Sequence, residues 1–146
     1  MTTATKSLTD VLHGQWLDLG RKVAQLGEAL PASAWKKAPV EGARDAGEVF
    51  RHLVFWNRWL AASARGGDPD GAANEIPKAE APGRAEALAA FEKSVGEAAD
   101  ALAERGAKLD AEAAGLYASF LGHTSEHYGQ LVVYARLAGV VPPASR

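Results

Sequence analysis

Cysteine is absent from the chain, which excludes disulfides, thiolate metal ligands and a protein-borne thiol nucleophile together. Any thiol chemistry must use sulfur supplied from outside. No uncharged apolar run approaches the roughly 18 residues needed to span a membrane, and the N-terminal MTTATKSLTDVLHG lacks the apolar centre of a signal peptide. The expected setting is cytoplasmic, without a membrane partner. An excess of one charge is also missing. The 16 basic and 18 acidic residues are interspersed and leave a formal net charge of −2, so no broad basic surface is available for a nucleic-acid backbone. Nucleic acid is not an expected partner.

What is present points to helices. A length of 146 residues, 47% hydrophobic and 23% charged with abundant alanine, suits one helical domain spanning 1–146. Leu8, Leu12, Trp16, Leu19, Val23, Leu26 and Leu30 draw a single stripe down a first helix. Pro31 and a polar stretch through Arg44 end it, and Asp45 with Glu48 forms a capping-box signature for a second helix running to about Ala64. The segment ARGGDPDGAANEIPKAEAPG has no sustained periodicity and reads as a long connection. Leu88, Phe91, Val95, Ala99 and Leu102 mark a third helix. After a short polar turn, a fourth runs from about Ala111 to Ala138, stopped by Gly139 and Pro142-Pro143. A tight turn forces antiparallel neighbours, whereas the long connection lets the second and third helices run parallel. The expected fold is all-α, a four-helix bundle in up-down-down-up order with a long crossover.

The chemistry lies in the histidines. At about 100° per residue, Leu116, Phe120, His127, Gln130, Leu131, Tyr134 and Ala138 fall within roughly 80° of His123, which puts His123 and His127 in the middle of an apolar stripe. At i and i+4 their Cβ atoms stand about 5 to 6 Å apart, a separation from which two imidazoles can converge on one ion. The second helix repeats the pattern, with Val49, His52, Trp56, Trp59, Leu60 and Ser63 on one face. Any one of these could be an ordinary core histidine with hydrogen-bond partners. Burying three would need three sets of partners, whereas one divalent cation satisfies them all. The string His123-Thr-Ser-Glu-His127 also matches the inverted zinc-protease motif, but that class needs a further acidic ligand downstream, and no Asp or Glu follows. A third ligand has to come from upstream, where His52 is best placed. Glu126 projects about 60° from His123 and is open to three roles: general base, hydrogen-bond partner of a ligand, or solvated side chain.

His52 on the second helix, the His123-x-x-x-His127 pair on the fourth, the continuation H-Y-G-Q-L and the long connection together resemble the DinB and YfiT-like superfamily. The resemblance runs from the first helix to the C-terminus. It implies the bundle and order already described, and a divalent metal, usually zinc or nickel, held by His52, His123 and His127. Superfamily members with assigned activities include transferases and isomerases that use low-molecular-weight thiols such as mycothiol, bacillithiol or glutathione, and homodimers are common. No thiol-binding motif of this sequence carries a substrate over.

Three neutral imidazoles leave coordination positions open, the arrangement of a catalytic more than a structural site. A bound metal lowers the pKa of water towards about 7 and deprotonates a thiol, so attack on a small electrophilic substrate by a cofactor thiol is the leading expectation. The alternatives are a metal-dependent hydrolase with Glu126 as base, and a non-catalytic bundle whose ion contributes folding energy or senses metal. Trp56 and Trp59, with Gln130 and Tyr134 on the facing helix, are candidate pocket residues, although aromatic residues at helical spacing also serve as core. Gly115, Ala118, Gly122, Ser125 and Gly129 make a flat ridge suited either to intrachain packing or to a dimer contact. Arg51, Arg58 and Arg65 read as a solvated stripe rather than an anion site, and His13 as a partly exposed edge residue.

Overall fold

Side chains fold back on the backbone where the first two long helices begin. Ser7 N donates to the Asp10 carboxylate at 3.0 Å while Asp10 N donates to Ser7 Oγ at 3.1 Å, and Asp45 and Glu48 repeat this reciprocal cap at 2.7 and 2.8 Å. The computed structural model describes residues 4–146, all-helical with no strand among them. Its helices are α1 (Leu8–Ala29), α2 (Ala32–Lys36), α3 (Ala46–Ala64), α4 (Arg84–Arg105) and α5 (Ala111–Leu137), with short 3-10 turns at Gly106–Lys108 and Pro143–Ser145. No helix among these residues is long and apolar enough to cross a membrane.

α2 lies inside the stretch that reads as a polar link. Its Trp35 is buried, stacks on Phe50 at 4.9 Å between ring centroids, and donates its indole N–H to the Gly27 carbonyl at 3.2 Å. A single aromatic anchor within a run of polar residues carries no periodicity, so its burial is set by tertiary packing alone.

α1 and α3 each pack against both α4 and α5. Thr9 Oγ1 near the start of α1 donates to the Gly106 carbonyl just past α4, while Arg84 at the start of α4 donates to the Glu28 carbonyl at the end of α1. Asn57 of α3 donates to Ser94 of α4 at 3.0 Å, and at their C-terminal ends Arg105 Nε donates to the Ala64 carbonyl at 2.7 Å. Between α5 and the entry to α3, Tyr134 OH donates to the Arg44 carbonyl at 2.6 Å. One continuous core joins Leu12, Trp16, Val23, Phe50, Leu53, Phe91, Leu102, Tyr117 and Leu131. Leu8, at the end of the first apolar stripe, is exposed.

The connection between α3 and α4 is fastened along its length. Ile76 and Ala81 are buried, and Ile76 N donates to the Arg51 carbonyl at 3.3 Å. Arg51 pairs with Glu75, Arg58 with Glu80, and Arg65 with Glu104 of α4. Arg51 is thus withdrawn from the solvated stripe, while Arg58 and Arg65 stay partly exposed in their pairs. Spaced seven apart on one face of α3, the three arginines meet three separate glutamates, two of them on the connection, and Arg51 is buried in doing so. The small-residue ridge of α5 faces outward instead. All five of its residues are exposed, and a Cβ added at Gly115, Gly122 or Gly129 would meet nothing within 4 Å.

Candidate metal centre

α3 presents His52 and α5 presents His123 and His127, one turn apart, into the interface between the two helices. His52 is buried and the other two are half-buried. One ligand atom from each ring lies within 4.8 Å of the others, and ring centroids stand 4.7 to 5.1 Å apart. His52 Nε2 and His123 Nε2 are 3.0 Å apart. Two imidazoles on one tetrahedral ion, with metal–nitrogen bonds of about 2.0 to 2.1 Å, would hold their nitrogens about 3.3 Å apart, so the observed separation is close to that of co-ligands.

The nitrogens facing away from the cluster decide which lone pairs are free. His52 Nδ1 lies 2.7 Å from the Asn74 carbonyl, which can only accept, so Nδ1 carries the proton and Nε2 keeps its lone pair. His127 is fixed through a longer chain. The Arg44 carbonyl accepts from Tyr134 OH, so the tyrosine oxygen accepts from Gln130 Nε2 at 2.6 Å, and Gln130 Oε1 is turned to accept from His127 Nδ1 at 2.9 Å. His127 Nε2 is left for an ion. His123 Nδ1 is buried with no hydrogen-bond partner, which makes it the least anchored of the three rings.

Burial pushes the His52 pKa down to about 4, with Arg44 and the neighbouring histidines acting in the same direction against the raising effect of the Asn74 hydrogen bond. Burial, followed by the charge of His127, also lowers His123. His52 and His123 are thus neutral near pH 7, the state a ligand requires. Neutral nitrogen donors, convergent and with the opposite nitrogens of two rings committed elsewhere, fit a divalent transition metal.

The remaining expected site residues divide. Trp56, Trp59 and Phe120 form an aromatic wall beside His123, with Trp59 and Phe120 stacked at 5.7 Å and the Phe120 and Trp56 rings 5.8 and 6.3 Å from the His123 ring. The indole N–H groups reach into the connection, Trp56 to Asn74 Oδ1 at 2.8 Å and Trp59 to the Pro69 carbonyl at 2.7 Å. Trp59 and Leu116 also line a cavity of about 590 Å³ between the C-terminal end of α3 and the start of α5. Gln130 and Tyr134 orient His127. Glu126 is exposed and makes no hydrogen bond to the three imidazoles; its charge raises the His123 pKa against the larger effect of burial. His13, on α1, is half-buried and outside the histidine group.

Sequence reasoning misses Asn74 and the Arg44 carbonyl. Asn74 has φ 59°, a left-handed conformation that asparagine tolerates better than most residues, but nothing in its local sequence ties it to His52. The Arg44 carbonyl is main chain and has no side-chain signature.

The family model of the DinB superfamily matches residues 15–131, a span that includes all three histidines. No curated protein and no solved structure matches the chain.

Proposed function

The chain belongs to the DinB superfamily, and from that premise we propose that His52, His123 and His127 hold one divalent ion, zinc or nickel, in an enzyme that transfers a low-molecular-weight thiol to a small electrophile or isomerises the adduct. The observation that carries this reading is the convergence of three ligand nitrogens within 4.8 Å on a face where two of the three rings are held by their other nitrogen. When bound, the ion supplies Lewis acidity and a lowered pKa to a coordinated thiol or water. Burial keeps His52 and His123 neutral, the Asn74 carbonyl and Gln130 orient His52 and His127, and Trp56, Trp59 and Phe120 give the site an apolar side. The thiol is external because the chain has no cysteine.

The same proposal takes residues 1–146 as a single domain and the long helices as a four-helix bundle in up-down-down-up order. One continuous core supports the first, and the contacts of α3 with α4 at mid-helix and at their C-terminal ends support the parallel middle pair. The hydrolase alternative draws less support, because Glu126, its candidate base, is exposed.

The test is a panel of electrophiles assayed with and without mycothiol, bacillithiol or glutathione, before and after chelation. Turnover that needs both thiol and metal is expected. Metal-dependent turnover with no added thiol would overturn the transferase reading and favour water activation.

A further inference from the structure

A second concentration of charge lies among residues that take no part in the histidine cluster. A cavity of about 410 Å³ opens between α2, the start of α3, the end of the long connection and the start of α4, and Lys36, Asp45, Arg51, Lys78 and Arg84 are in its lining. Four basic residues from four separate segments line it, in a chain whose net charge is −2. Such a grouping costs repulsion unless something negative sits between the charges. The lining carboxylate Asp45, which caps α3 by accepting from Glu48 N at 2.8 Å, and Glu75 at Arg51 offset part of that charge and leave basic groups in excess.

The fold engages the two arginines only in part and leaves the two lysines free of ion pairs among the described residues. Arg51 is 7% exposed, and its Nε donates to Glu75 at 3.1 Å, yet its terminal nitrogens make no hydrogen bond among the described residues. Arg84 donates to the Glu28 carbonyl. Lys36 and Lys78 have no ion pair among the described residues. The wall is completed by Gly83, the N-cap of the 22-residue α4, which offers no side-chain cap to the first-turn N–H groups. Glu86 folds back over Gly83 without capping those groups.

We propose that this cavity binds the phosphate group of a small phosphorylated molecule. A lone carboxylate is satisfied by one guanidinium fork, whereas a wall with basic side chains in excess matches a non-planar dianion with several acceptor oxygens. The volume is that of a small-molecule pocket and exceeds what one phosphate fills, so the rest of the molecule has room beside the ion. The assignment does not depend on metal at the histidines. It does place the two sites on one support, since Arg51 precedes His52 on α3 and their partners Glu75 and Asn74 are adjacent on the connection.

The test is calorimetric titration of the full chain with inorganic phosphate and with glycerol phosphate, comparing wild type with a Lys36→Ala/Lys78→Ala double variant. Both lysines are exposed and distant in sequence from the histidines, and circular dichroism checks that the fold is kept. Saturable binding of both probes is expected, tighter for the ester and weakened about tenfold in the double variant. A Lys36→Arg/Lys78→Arg variant should restore it. No saturable binding of either probe would overturn the proposal. So would equal affinity in wild type and the alanine variant, which would put the anion elsewhere, or binding of inorganic phosphate with exclusion of the ester.

Discussion

An imidazole offers an ion only the nitrogen that its surroundings leave unprotonated, so the partners of the outer nitrogens matter as much as the ligands. The relay from the Arg44 carbonyl through Tyr134 and Gln130 fixes which nitrogen of His127 carries its proton. Tyr134→Phe removes the hydroxyl, frees Gln130 to turn its amide over, and should weaken zinc binding by about tenfold or more, measured by competition with a chromophoric chelator. Its cost to folding should be only about 1 kcal/mol, that of one buried hydrogen bond. His52 supplies a second prediction. Its pKa is about 4 in the folded protein against an ordinary 6.5, so as pH falls the unfolded chain takes up the proton first. Metal-free protein should keep the His52 contribution in full above about pH 6.5 and lose it progressively towards pH 4, and His52→Asn should flatten that slope in urea midpoints. The three histidines are legible in the sequence because helical rotation alone puts them on inward faces. Their orienting partners are not, since a carbonyl has no identity in the sequence and Asn74 lies in a segment with no periodicity to place it.

Helices show themselves in sequence through repeating contacts, and that explains which elements could be read. The apolar stripes and capping residues locate α1, α3, α4 and α5 to within a few residues, whereas α2 is a single turn held by Trp35 and escapes notice. The glycines show the same limit. Gly27 of α1 lies where an added Cβ would come within 2.5 Å of Phe50 Cζ and 2.7 Å of Leu88 Cδ2, so Gly27→Ala should destabilise by about 1 to 2 kcal/mol despite alanine's better helix propensity. Gly122 of α5 faces open space, and Gly122→Ala should stabilise by about 0.5 to 1 kcal/mol. Chemical denaturation of the two variants checks both signs. Nothing in the sequence separates these two glycines, because the difference lies in what packs against each helix.

The connection between α3 and α4 turns a feature that looks like slack into part of the site. Its glutamates are gripped by Arg51 and Arg58, its Asn74 orients His52 and receives the Trp56 indole, and its Pro69 carbonyl receives Trp59. Metal at the histidines would therefore tie α3, α5 and this segment together. Zinc supplied at about a hundred times its dissociation constant should raise the unfolding free energy by about 2.7 kcal/mol, and chelation should reverse the gain. Loop lengths alone suggest that the middle helices run side by side, but they cannot show that the long loop is bound down, because ion pairs between residues so far apart leave no spacing pattern. The most direct test of the metal centre is elemental analysis of untagged wild-type protein beside a His52→Ala variant, both folded by circular dichroism. The account predicts about one divalent ion per chain in the wild type and at least a tenfold loss in the variant. Equal metal in both proteins would remove His52 from the site and contradict the three-histidine centre.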